Sequence, residues 1–296
     1  MDLKELQGEL AALQNNSALY VPEKLHARAE ALDFLRFLQE VIHMERKATL
    51  LATQLRQEAE EFQRRLVVID KQLYQTTRKA IQQKQLVGDA LRAYCDRFTD
   101  YRPSMADRVY TSYDGLDVLF DGIFQLNQAP APTLTPEAEM VHCEETPARA
   151  LLDLIDHVGL QPGDIFYDLG SGLGQVVMAL HLLTGIRAKG VEIEPAFCAF
   201  ARRQADALNL PGATFINADA RLADYSDGTV FFLFTPFRGQ LLQRVLARLQ
   251  QVACHHPIRI CTFGSCTPHV AEQPWLQPHT MDARHEYKLV IFSSHT

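Results

Sequence analysis

Apolar residues recur at two different spacings along this chain. Near the start, Leu3, Leu6, Leu10 and Leu13 alternate by three and four positions, which is the spacing of one helix face. Asn15-Asn16-Ser17 breaks the pattern, and Val21-Pro22-Glu23 follows, with proline suited to a first helical turn. Residues 25–44 are apolar nearly all round (Leu32, Phe34, Leu35, Phe37, Leu38, Val41, Ile42), so a helix packed on more than one side is expected. Leu55, Ala59, Phe62, Leu66, Ile69 and Leu73 then hold a heptad-like stripe among Glu, Gln and Arg. Gly88 is the only glycine between Lys47 and Phe98, which predicts a long helix or a helical hairpin. Residues 1–100 thus read as a helical, coiled-coil-like bundle. Such a bundle either packs on the remainder and helps close it, or recruits a substrate or a second copy of the chain.

Beyond that point the spacing changes. Residues 101–135 form a transitional segment, partly ordered around Leu116-Asp117-Val118-Leu119-Phe120, and become a linker at Asn127-Gln128-Ala129-Pro130-Ala131-Pro132-Thr133. Tyr110 and Tyr113 read as core aromatics or as part of a lid over an acceptor pocket. From 136 onward, short apolar runs alternate with helical stretches, the pattern of a parallel sheet with flanking helices. Strands are expected at 166–169, 188–192, 213–219, 229–234, 258–263 and 285–292, with a helix over 196–210. Trp275 and the His269/His279 region should lie on a variable loop near the active-site side.

The chemistry sits where these strands end. Phe166-Tyr167-Asp168-Leu169 runs into Gly170-Ser171-Gly172-Leu173-Gly174-Gln175, and Val176-Val177-Met178-Ala179-Leu180 begins a helix. Glycines permit a sharp turn and close approach of a ligand to the backbone. The spacing is G-x-G-x-G, not the dinucleotide G-x-G-x-x-G. An acid two positions before the first glycine points to S-adenosylmethionine, whose ammonium Asp168 can receive. Glu192 ends the next strand roughly twenty residues on, where a carboxylate takes ribose hydroxyls; Glu194, before a proline, is the poorer ribose ligand. Asp219, with the amide of Ala220, would face adenine. The fourth strand ends in Thr235-Pro236-Phe237, at the edge where an acceptor meets the methyl group.

The run Asp168-Leu169-Gly170-Ser171-Gly172-Leu173-Gly174-Gln175-Val176-Val177, followed by Gly190-Val191-Glu192, resembles the histone lysine methyltransferases of the disruptor-of-telomeric-silencing type. Their turn reads D-L-G-S-G-V-G-Q-V-V, and their ribose acid stands in G-V-E. The resemblance covers residues 141–237. It implies an α/β fold: a Rossmann-like, seven-stranded class I methyltransferase core over 136–296, carrying an N-terminal α-helical domain. Cys143-Glu144-Glu145-Thr146 stands in the register of the family's Y-G-E-T segment, which makes Glu145 and Thr146 cofactor contacts by that match. The family's N-N-F after the fourth strand is Phe234-Thr235-Pro236 here, so the receiving amides are gone. Thr235 offers a hydroxyl, and Phe237 an aromatic face able to hold a cation. Glu144, Thr235 and Tyr110 are candidates for taking the acceptor's proton.

Charge narrows the acceptor. Lys and Arg number 29 against 36 Asp and Glu, net −7. Up to residue 100 there are 15 basic and 15 acidic residues; beyond it, 14 and 21, so the catalytic half carries the whole deficit. That disfavours nucleic acid and suits a basic protein segment or an amine. No apolar run reaches membrane-spanning length, and Met1-Asp2-Leu3-Lys4-Glu5 is no signal peptide. Six scattered cysteines include no C-x-x-C pair; Cys254-His255-His256 with Cys261 and Cys266 fits no standard zinc spacing, so no metal is expected and the setting is read as cytoplasmic. The expected activity is S-adenosylmethionine-dependent N-methylation of a protein side chain such as lysine. The alternatives are a small-molecule N- or O-methyltransferase, or a silent cofactor-binding protein. The N-terminal helices are a candidate surface for a homo-oligomer.

Overall fold

The computed structural model describes residues 2–44, 49–99, 113–141, 144–279 and 282–295. Tyr110 and Cys143 therefore lie outside the described residues. The chain begins with α1 (Leu3–Gln14), started by a capping box in which Asp2 accepts from the N–H of Lys4 and Glu5. Helices α2 (Leu25–Met44) and α3 (Leu50–Gln82) pair along their lengths, and α4 (Gly88–Cys95) follows a turn through Lys84 and begins at Gly88, both at positive φ. Helix α5 (Gly115–Phe124) carries its own capping box from Asp114 and Asp117.

Helix α6 (Ala148–His157) leads into β1 (Ile165–Leu169), α7 (Gln175–Thr184), β2 (Arg187–Glu192), α8 (Pro195–Ala207) and β3 (Ala213–Asn217). Then come β4 (Val230–Phe234), α9 (Gly239–Ala253), β5 (Arg259–Phe263), α10 (Thr267–Ala271), β6 (Leu276–Pro278) and β7 (Val290–Ser294). The seven strands lie in the order β3-β2-β1-β4-β5-β7-β6, parallel except that β7 runs antiparallel to β5 and β6. This is the Rossmann-like, seven-stranded arrangement expected, with α-helices preceding it. All five parallel strands point their carboxyl ends to one edge, which is where such sheets bind ligands.

Alternating side chains feed two apolar layers. Phe166 and Phe232 face one layer with α7, α8 and α6; Tyr167, Leu169, Phe231 and Leu233 face the other with α9. The first layer also takes Leu25, Ile81, Leu91, Cys95, Leu116 and Phe120, so the ends of the helical region are built into the core of the sheet. Arg92 of α4 holds Asp156 of α6 through two 2.9 Å bonds, and Gln82 donates to the carbonyl of Ala207 at 2.8 Å. A separate core joins α1, α2 and the first half of α3 through Leu6, Leu35, Leu38, Leu55 and Phe62.

Four expectations change. Helix α2 buries one stripe rather than several sides: Leu25, Arg28, Ala31, Leu35, Leu38 and Ile42 are inside, while Phe37 is 46% exposed. Buried Arg28 explains why α3 buries Asp70 where the apolar stripe would have continued through Ile69. At the far end, 285–289 is turn and the last strand starts at Val290; the region of His269, Trp275 and His279 supplies α10 and β6 at the sheet edge, and none of the three lines the cavity described below. Among the described residues, no helix is long and apolar enough to cross a membrane.

Candidate active site

The turn after β1 is tied to the end of β2. The amides of Gly170 and Ser171 both donate to the Val191 carbonyl, at 2.8 and 3.1 Å, and Gly172 N donates to Glu192 Oε2 at 2.8 Å. Gly170 has φ +80°, and a Cβ there would stand 2.4 Å from Pro236 Cβ; the first glycine makes room for the turn after β4. Gly174 has φ +84°, and a Cβ there would strike Phe215 and Ala201. Gly174 does not line the cavity; without a Cβ it lets α7 seat against β3 and α8.

At this edge lies a cavity of about 460 Å³. Glu145, Thr146, Asp168, Gly170, Ser171, Gly172, Gln175, Glu192, Asp219, Ala220 and Phe237 all line it, as does Glu144. Asp168 is 5% exposed. Burial, reinforced by the charge of Glu192, pushes its carboxyl up to about 8. Glu192 is also raised by burial, although amides of Glu194, Gly172 and Ile193 pull the other way. Its Oε1 accepts from Glu194 N at 2.8 Å. Each carboxylate oxygen can accept twice, which leaves acceptor sites for two hydroxyls. Buried Ser171 Oγ and Gln175 Oε1 have no hydrogen-bond partner, though both residues line the cavity. Two acids and two orphaned polar atoms form a lining suited to a cationic, hydroxyl-bearing ligand.

Thr235 is not part of that lining. It sits at φ +42°, and its hydroxyl donates to Phe263 O at 3.4 Å and accepts from Cys266 N at 3.3 Å. The kink turns Thr235 towards the strand behind and presents Pro236 and Phe237 to the cavity. Its hydroxyl is thus engaged with β5 and the start of α10, and of the two candidates on this turn Phe237 is the one that lines the cavity. Tyr113 is 49% exposed, not a core aromatic; its hydroxyl donates to the Glu145 carbonyl at 3.0 Å.

Several contacts that shape the site escaped the sequence reading. Buried Glu194 accepts from Thr133 N, Thr133 Oγ1, Leu134 N and Ala196 N. Burial alone would raise its carboxyl, but these bonds bring it down to about 2. Glu139 accepts from Gln240 N and Leu241 N at the start of α9, and Met140 bridges Phe237. Residues 132–141 are thereby strapped across the cavity. Asp219 is gripped by Arg221, which also reaches Glu137 on the strap. Asn217 donates to the carbonyls of Glu192 and Ile193 at 3.0 and 2.9 Å, fixing the end of β2. The proline after Glu194 was the one local hint, since it marks a helix start.

Residues 136–217 match the family model described as Histone methylation protein DOT1. The match ends before β4, and so before the turn at 235–237. No curated protein matches the chain. Among solved structures, an RNA methyltransferase from Salinibacter ruber in complex with S-adenosyl-L-homocysteine is 20% identical over 51% of this chain and 92% of its own, with TM-score 0.38. A SAM-dependent methyltransferase from Thiobacillus denitrificans, also with S-adenosyl-L-homocysteine, is 25% identical over 42% of this chain and 51% of its own, with TM-score 0.34. A mutant of MtNAS in complex with S-adenosylmethionine is 12% identical over 98% of this chain and 96% of its own, with TM-score 0.40. With the glycine turn, the strand-end acids and the match over 136–217 in place, this chain is a class I S-adenosylmethionine-dependent methyltransferase that resembles the DOT1 proteins.

Proposed function

We propose that the protein transfers a methyl group to the nitrogen of a basic protein side chain, with lysine as the acceptor. One observation carries this reading. The cavity is lined by seven acidic residues (Glu137, Glu144, Glu145, Asp168, Glu192, Glu194, Asp219), and no Lys, Arg or His stands among its described lining residues. Such a wall favours cations and repels phosphate. Bound S-adenosylmethionine supplies a methyl already activated on a sulfonium. Asp168 would receive the ammonium, Glu192 the ribose hydroxyls, and Asp219 with the Ala220 amide the adenine, while Ser171 and Gln175 would offer their unpaired atoms. Phe237 gives the incoming amine an aromatic face. Glu144 would take the acceptor's proton and so free the nitrogen lone pair.

A radiolabelled methyl assay on host lysate tests this. Label in protein bands, recovered as methyllysine after hydrolysis, is the expected result. Label confined to small molecules would make the acceptor a free amine or hydroxyl compound. Cofactor binding without any transfer would make the protein a silent binder.

A pH profile follows from Asp168. Below about 8 its carboxyl holds a proton in the free protein, and a cationic ligand must displace it. Affinity for S-adenosylhomocysteine is expected to rise by up to about tenfold per pH unit towards that value and then level off. Calorimetry should show net proton release on binding at neutral pH, and Asp168→Asn should abolish the release. No proton release in the wild type counts against this assignment of the ammonium site.

A further inference from the structure

We propose that Arg221 is a positioning residue that couples recognition of the adenine ring to closure of the 132–141 strap. It stands just past β3, outside the cavity lining, and works through two acids that do line it. Its backbone N–H and Nε donate to Asp219 Oδ1 at 2.8 and 2.9 Å. Nε and Nη2 donate to Asp219 Oδ2 at 2.9 and 2.6 Å. The same guanidinium donates from Nη1 to Glu137 Oε2 at 3.1 Å and from Nη2 to Glu137 Oε1 at 2.6 Å.

A planar fork fixes a carboxylate plane as a point charge cannot. Nε carries a single hydrogen shared between the two oxygens, so three Arg221 hydrogens meet the four acceptor sites of Asp219 and leave one for a donor in the cavity. Its hydrogen bonds are the main cause of the lowered Asp219 carboxyl. An ionised carboxylate accepts the exocyclic amine of adenine and rejects the carbonyl that hypoxanthine carries there. The other end of the fork holds the strap, because Glu137 is an exposed acid whose side chain is 52% accessible. The strap's other ties, Glu194 on Thr133 and Leu134 and Glu139 on the start of α9, leave Glu137 between them.

The inference rests on the cofactor reading and adds a residue that no strand-end rule selects. Its test measures affinity and release rate of S-adenosylhomocysteine and S-inosylhomocysteine on the full chain and on R221A, R221K and E137Q. Loss of hydrogen bonds to a charged group predicts that R221A weakens S-adenosylhomocysteine by about tenfold or more. Binding of the inosyl analogue should weaken less, by the loss of the strap tie alone, so the base preference shrinks. R221K keeps the charge, serves as the folded control, and should lose most of the preference with the fork. E137Q should speed release of both ligands severalfold while keeping the base preference, and R221A should speed release as well. An R221A protein with wild-type preference or wild-type release overturns the coupling. Failure of the wild type to bind S-adenosylhomocysteine at all overturns the cofactor reading, and the coupling with it.

Discussion

Glu192→Ala and Asp168→Ala are each expected to abolish measurable binding of S-adenosylhomocysteine, and to move stability in opposite directions. Glu192 braces the site before any ligand arrives, accepting from Gly172 N and Glu194 N at 2.8 Å each. Hydrogen bonds to a charged group contribute roughly 1.5–3 kcal/mol, so the alanine variant loses the ligand contacts and loosens both turns that frame them. Affinity should drop by more than about a hundredfold, and the melting temperature should fall. Asp168 has the reverse balance, with burial opposing its charge and Glu192 repelling it. A carboxyl raised in the folded state binds more protons than in the unfolded chain, so its contribution to stability declines as pH rises from the ordinary aspartate range to about 8. Removing it should leave the free protein as stable or more so, most visibly above that pH, while the ammonium site is lost. Calorimetry and thermal melts of both variants decide the matter; near-wild-type affinity in both would falsify the cofactor assignment.

The largest loss of stability is expected far from the cofactor, in Asp70→Ala. Arg28 is fully buried. It donates from Nε to Asp70 Oδ1 at 2.6 Å, from Nη1 to the carbonyls of Leu19 (3.2 Å) and Val21, and from Nη2 to that of Pro22. It thereby pins the short helix at Ser17–Tyr20 and the turn after it to α3. Without Asp70 a buried guanidinium keeps carbonyl partners but loses its counter-charge, at a cost of about 3–5 kcal/mol. For a chain of this size that is a fall in melting temperature of roughly 10 °C. Burial pushes the Asp70 carboxyl up even beside the arginine, so the pair itself is no large net gain. The double change Arg28→Met with Asp70→Leu should therefore recover most of the loss, with cofactor affinity unchanged throughout. A single Asp70→Ala variant that melts like the wild type would show that the pair does not hold the helical region.

The cofactor half was legible because its signals are local. Asp168, the three glycines and Gln175 lie within eight consecutive positions, and Glu192 ends the next strand. Backbone geometry alone dictates where a strand-end acid and a positive-φ glycine must stand. Gly174 belongs to the same motif yet serves packing, a distinction drawn by Phe215 some forty residues away. Thr235 misled for a related reason. Its type suits an acceptor site, but φ +42° and the pull of Phe263 and Cys266 turn it away. In α2 the count of apolar residues suggested burial all round, whereas α3 covers one face only and leaves Phe37 outside.

By itself the sequence determined the alternation of strands and helices, the glycine turn, and the strand-end acids that line the cavity. Each of these depends on residues a few positions apart, whose mutual geometry is set by the helix or strand they occupy. The tertiary structure alone decided which polar groups are already spent on the protein and which remain for a ligand. Thr133 meets Glu194, Glu137 meets Arg221, and Glu139 meets Leu241 across separations of 61, 84 and 102 residues. No local spacing rule reaches such pairs. They form because a folded sheet edge brings the strap, the end of β3 and the start of α9 to one rim, where each carboxylate placed near buried N–H groups must be satisfied.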